Sequence, residues 1–164
     1  MVFQNDNLLA GWIQHYACLA DAIAAWREFG MGKPWRVHEF GATMHLAVDK
    51  GLISGDVNDD DDMDDPNEAL LLNPQGFVDF LGLNLKYLGK FDQTDHDKYS
   101  GPGFWVIVSW KNPRTGFVHW VIGNKKPVKW DSIKGGSVTV AEGDPYPLQS
   151  DGTGGIRVFQ VVAA

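Results

Sequence analysis

Apolar positions change rhythm about halfway along the chain. In "CLADAIAAWREF", residues 18–29, Leu19, Ala22, Ile23 and Trp26 recur at helical spacing, and Gly30 ends the run. Residues 34–50 open on Pro34 and carry Val37, Phe40, Met44, Leu46 and Val48 before Gly51, which predicts a second helix. A third is predicted over 73–82, with Asn73 as its cap, Pro74 in its first turn and Gly82 as its terminator. Residues 11–17 read as an extended or turning approach to the first helix. The second half is different. "LKYLGKF", "GFWVIVSWK", "GFVHWVIGN", "SVTVA" and "IRVFQVV" are rich in β-branched and aromatic residues, and "SGPG", "NPRTG" and "GDPYP" supply turns between several of them. A hairpin is predicted around Asn112–Gly116. Helices first and an antiparallel sheet afterwards indicate the α+β class rather than a doubly wound parallel sheet.

Length and composition narrow this. A chain of 164 residues suits one domain, 1–164, and can bury a core without disulfides or a structural metal. Hydrophobic residues make up 44%, which excludes a disordered chain. No repeat of solenoid length is visible. No stretch approaches eighteen apolar residues, so no membrane span is expected. The N-terminus lacks a basic region followed by a long apolar one, so no signal peptide is read and the chain is expected to be cytoplasmic as synthesised.

The net charge of −7 argues against nucleic acid as a partner. The charge is uneven: residues 1–75 hold 13 acidic and 4 basic side chains, and residues 76–164 hold 8 and 10. Most of the imbalance is the run "GDVNDDDDMDDPNEA", 55–69. Mutually repelling carboxylates resist burial, so a solvated surface loop is expected there. Calcium is the alternative, through Asp56, Asn58, Asp60 and Asp62, which alternate as a calcium loop does. Against it, the sixth position of that loop is Asp61 rather than Gly, and the twelfth is Asn67 rather than Glu. No metal is therefore assigned.

Cys18 is the one cysteine, at the start of the first predicted helix. It is either a small core residue or a nucleophile. The unpaired N–H groups of a helix start favour a thiolate. Gln14, four residues earlier, could turn its side-chain amide towards the sulfur and join the Cys18 N–H as an oxyanion hole, or be a plain polar residue. Of five histidines, His38 and His45 are seven apart and do not form the i,i+4 zinc pair. His96 lies in polar "DQTDHDKYS", an expected exposed loop, and His15 suits a pocket rim. His119 sits inside an apolar strand, grouped by alternation with Phe117 and Val121 against Val118, Trp120 and Ile122. It is either a satisfied core histidine or a catalytic base. Asp131, twelve residues on, could orient it, or could stabilise its own turn.

Gln14, Cys18, His119 and Asp131, in that order, resemble the papain-like clan of cysteine peptidases and amidases. "GFVHWVIGN…KWDSI" is similar to the "GHWV…D" segment of its small bacterial members, including bacteriocin-processing-type peptidases and peptidoglycan-cleaving amidases. "WDSIKGGSVTVAEGDPYPLQSDGTGGIRVFQV" resembles a small papain-like family of phages and spirochaetes. The likeness covers residues 12–30 and 104–162. Ala17 stands where those families commonly place a glycine, and "GDPYPLQSDGTGG" is an extension.

The resemblance implies N-terminal helices packed on a C-terminal antiparallel sheet. It also implies a Cys-His-Asp hydrolase of amide bonds that needs no cofactor. Trp12, His15, Tyr16 and Trp35 are the expected substrate-binding residues, with aromatic faces suited to sugar rings or apolar side chains. By the same analogy the substrate is a peptide or a peptidoglycan stem peptide. Without a signal peptide, such an enzyme would reach the cell wall through a phage or a secretion system. Two alternatives stay open: an inactive papain-like domain that binds a peptide or protein partner, and a transglutaminase-like acyl transferase.

Overall fold

The computed structural model describes residues 2–54, 71–99, 101–111, 118–123 and 155–163. Five α-helices precede four strands among them: α1 Gly11–Tyr16, α2 Cys18–Ala24, α3 Trp26–Phe29, α4 Val37–Asp49 and α5 Pro74–Phe80, then β1 Leu85–Asp92, β2 Phe104–Lys111, β3 Val118–Ile122 and β4 Gly155–Val161. The class is α+β, as the change of rhythm implies.

The boundaries show what sequence periodicity missed. Residues 11–16 are helical rather than extended, and Ala17, at φ −97° and ψ 22°, separates α1 from α2. The run 18–29 divides at Ala25 into α2 and α3, although the Ala25 N–H still donates to the Asp21 carbonyl at 2.9 Å as in a helix. The helix expected from residue 34 begins at Val37, with Arg36 still extended. Trp35 is the reason: its indole N–H donates to the Ala24 carbonyl at 2.9 Å, which ties the stretch before α4 to the end of α2. The third helix is as expected. Asn73 Oδ1 accepts from the Gly76 N–H at 2.9 Å, Pro74 fills the first turn, and Gly82 follows at φ +71°.

The sheet runs β1-β4-β2-β3, with every described pair antiparallel. β2 and β3 are hairpin neighbours, pairing from Ile107↔Ile122 to Lys111↔Val118. Their turn, the acidic run from residue 55 to 69 with its calcium alternative, Asp131 and "SVTVA" lie outside the described residues. A register shift between Tyr87 and Gly89 bends the edge strand β1, and Gly89 there takes φ +140°. Ile53 and Leu71 form an isolated antiparallel bridge.

Alternation sorts the sheet into two faces. Trp105, Ile107, Trp120, Ile122 and Phe159 join the helices in the larger core. Val106, Val108, Ile156 and Val158 form a second cluster with Leu88, Phe91, Tyr99 and Phe104. The 3₁₀ helix Gln93–Tyr99 supplies Tyr99 to that cluster. All seven residues of α2 are buried. Its residues are apolar except Asp21; a helix apolar nearly all round belongs inside a core, and α2 lies there against β3 and β2. Among the described residues, no helix is long and apolar enough to cross a membrane.

Candidate functional site

α2 is held by its carbonyls. The last turn of a helix leaves such groups without partners inside the helix. Two indoles take them: Trp105 Nε1 from β2 donates to the Ala22 carbonyl at 3.1 Å, and Trp35 Nε1 donates to Ala24. Trp26, half-buried, packs at 5.1 Å from Trp105 and donates to Asn84 Oδ1 at 2.8 Å. These bonds fix the helix whose first residue is Cys18.

Cys18 follows directly on the Ala17 break, and it is 3% exposed, within the helix–sheet core. Gln14 lies four residues before it, in α1, on the other side of the Ala17 break. The Gln14 amide does not point at an empty site. Its Nε2 donates to the Asp6 carbonyl at 3.1 Å and to the Leu9 carbonyl at 2.8 Å. An amide nitrogen has two protons, and both are committed.

His119 is in β3, paired with Trp110 across the sheet. For His119, His15 and Tyr16 the structure describes the backbone alone. α2 packs against β3, so the fold brings the element of Cys18 to the element of His119. The residues of β3 that meet α2 in the core are Trp120 and Ile122; Val121, also buried, stands outside that cluster. By alternation along β3, His119 falls in phase with Val121 rather than with Trp120 and Ile122.

The remaining candidates separate. Trp35 is buried, edge-on to Phe40 at 5.7 Å, with the Arg27 guanidinium 3.8 Å over its ring. It is a core residue here, rather than the face of an open cleft. Trp12 is half-buried and meets the exposed His45 edge-on at 5.8 Å. His96, expected in an exposed loop, is half-buried in the 3₁₀ helix and donates through Nε2 to the Gly123 carbonyl at 2.5 Å. The end of β3 is thereby tied from the far side of the sheet's sequence.

Two buried charged residues, Asp21 and Arg157, escaped the sequence reading. Asp21, three residues after Cys18, is buried and lines a small cavity with Val2, Ala25, Glu28, Trp35 and Phe40. Its signal was available: it is the one charge in "CLADAIAAW". Arg157 is buried on the helix-facing side of β4, donating to the Tyr87 hydroxyl at 2.6 Å with its guanidinium 5.9 Å from the Trp120 ring. Its signal is a lone charge in "GIRVFQV". Among the described residues, no three metal-ligating side chains converge. No family model, no curated protein and no solved structure matches this chain.

Proposed function

We propose that the chain is a papain-like, cysteine-dependent hydrolase of amide bonds, acting on peptides of the peptidoglycan-stem class. What supports this is one juxtaposition: α2, which opens on Cys18, packs against β3, which contains His119. In this reading His119 takes the Cys18 proton and the sulfur attacks the substrate carbonyl. The tetrahedral oxyanion is held by the Cys18 N–H and by Gln14, once its amide is released. Collapse expels the amine, which takes its proton from His119. Water, activated by the same imidazole, then hydrolyses the thioester. Asp131 orients the ring.

A second reading is favoured by a specific observation. The burial of Cys18 and the engagement of Gln14 suit a papain-like domain without catalysis that binds a peptide or protein partner. Timed alkylation with iodoacetamide below pH 7 separates the two. The hydrolase reading expects Cys18 to be modified quickly, and His119→Ala to slow this at least tenfold. It also expects cleavage of stem peptides that Cys18→Ser abolishes. Alkylation at one slow rate in both chains, with no cleavage, assigns the binding role. Incorporation of an amine into a glutamine peptide would redirect the chemistry to acyl transfer.

A further inference from the structure

We propose that the Gln75 side chain closes the β1 edge of the sheet, standing in for a further strand and keeping a second copy of this chain from pairing there. Among the described residues β1 is an outer strand, with β4 along one side of it. An outer strand offers N–H and C=O groups to any extended chain that meets it. On β1 two such groups are engaged. The Tyr87 N–H donates to Gln75 Oε1 at 2.7 Å, and Gln75 Nε2 donates to the Leu85 carbonyl at 3.2 Å. One side-chain amide thus makes the pair of bonds that the backbone of a neighbouring strand would make.

The amide is oriented for this. Its second Nε2 proton goes to Asp79 Oδ1 at 2.9 Å, one turn along α5. An ionised carboxylate only accepts, so Asp79 keeps the nitrogen on its side and leaves the oxygen to Tyr87. The two strand groups that Gln75 takes are also complementary to each other. In an antiparallel copy centred on Lys86, Leu85 stands opposite Tyr87 of the second copy, and each Tyr87 N–H meets the other chain's Leu85 carbonyl. The register shift between Tyr87 and Gly89 bends β1 beyond that point, which confines the pairing to Leu85–Tyr87. Lys86 is exposed and would face its own copy, and like charges directly opposite weaken a strand pair. A second copy is therefore the occupant this edge fits, opposed by Lys86 and shut out by Gln75.

Gln75→Met tests this, since it keeps the length of the side chain and deletes the amide. Circular dichroism verifies folding, sedimentation velocity reads association, and hydrogen exchange of the Tyr87 amide reports where the chains meet. Gln75→Asn, whose amide is one methylene short of the strand, takes its place if Gln75→Met does not fold. The native chain should keep its Tyr87 amide protected at every concentration. In the variant, dilute chains should exchange that amide about tenfold faster or more, as for a lost hydrogen bond. Raising the chain to about 1 mM, the range of weak association, should bring a dimer and restore the protection.

Charge checks the register. In the Gln75→Met background, an equal mixture of chains with and without Lys86→Glu sets opposite charges across the two-fold axis. It should associate about two- to tenfold more tightly than either chain alone. A folded Gln75 variant that stays monomeric throughout, or whose Tyr87 amide stays protected when dilute, overturns the proposal. Association that leaves the Tyr87 amide exchanging fast also overturns it, as does a mixture no tighter than its components. Failure of both variants to fold does the same, because Gln75 would then be a requirement of the fold and not a cover for its edge.

Discussion

A buried indole can act as a bolt, and Trp35 does so in this chain. Its N–H closes a carbonyl of α2, its ring meets Phe40, and Arg27 covers its other side. Trp35→Phe keeps most of the apolar surface and deletes the donor. The Ala24 carbonyl is then left buried without that partner, which costs about 1–3 kcal/mol. Urea unfolding should show a lower midpoint at unchanged slope. The sequence marked Trp35 as aromatic and useful, but its use was not visible in a one-dimensional pattern. An indole is equally suited to a cleft and to a helix end, and only the fold, by bringing residue 35 to residue 24, distinguishes them. Gln14 carries the same lesson. Its place four residues before Cys18 pointed to a shared site, but Ala17 parts the two helices, and the carbonyls that engage its amide come from a turn without any motif.

At the scale of elements, local chemistry was legible where it was complete within a few residues. α5 has its cap, its proline and its terminating glycine in ten residues, and it forms where these place it. Asn73→Ala should remove the Asn73–Gly76 bond and cost about 1 kcal/mol, read as a fall in the thermal midpoint. α1 had no such marks: its N-cap is Ala10, with no side-chain cap bond. The strands were legible because β-branched and aromatic runs alternate, and the β2–β3 pairing follows from their closeness in sequence. The position of β4 between β1 and β2 was not, since nothing local pairs residues 155–161 with 104–108 and 85–92. That order follows from side chains meeting across the sheet, Phe159 and Trp105 on one face and Val158 and Val106 on the other.

For the whole molecule, the organising feature is a fully buried helix laid against a sheet, with Cys18 at its first residue. This is the architecture in which a thiol and an imidazole from distant parts of a chain can meet. It is also one in which a small thiol can simply pack, and the 3% exposure of Cys18 sets the two outcomes against each other. The sequence brought forward Cys18 and His119 by their chemistry, and the fold brings their elements together. It left unmarked the Asp6 and Leu9 carbonyls that engage Gln14 and the buried charges Asp21 and Arg157, because burial belongs to the assembled molecule and not to any segment. The most direct measurement is the distance from Cys18 Sγ to the nearer ring nitrogen of His119 in a crystal structure. The account predicts about 3–4 Å, close enough for a proton to pass. An imidazole on the far face of β3, with the strand between it and the sulfur, would contradict it.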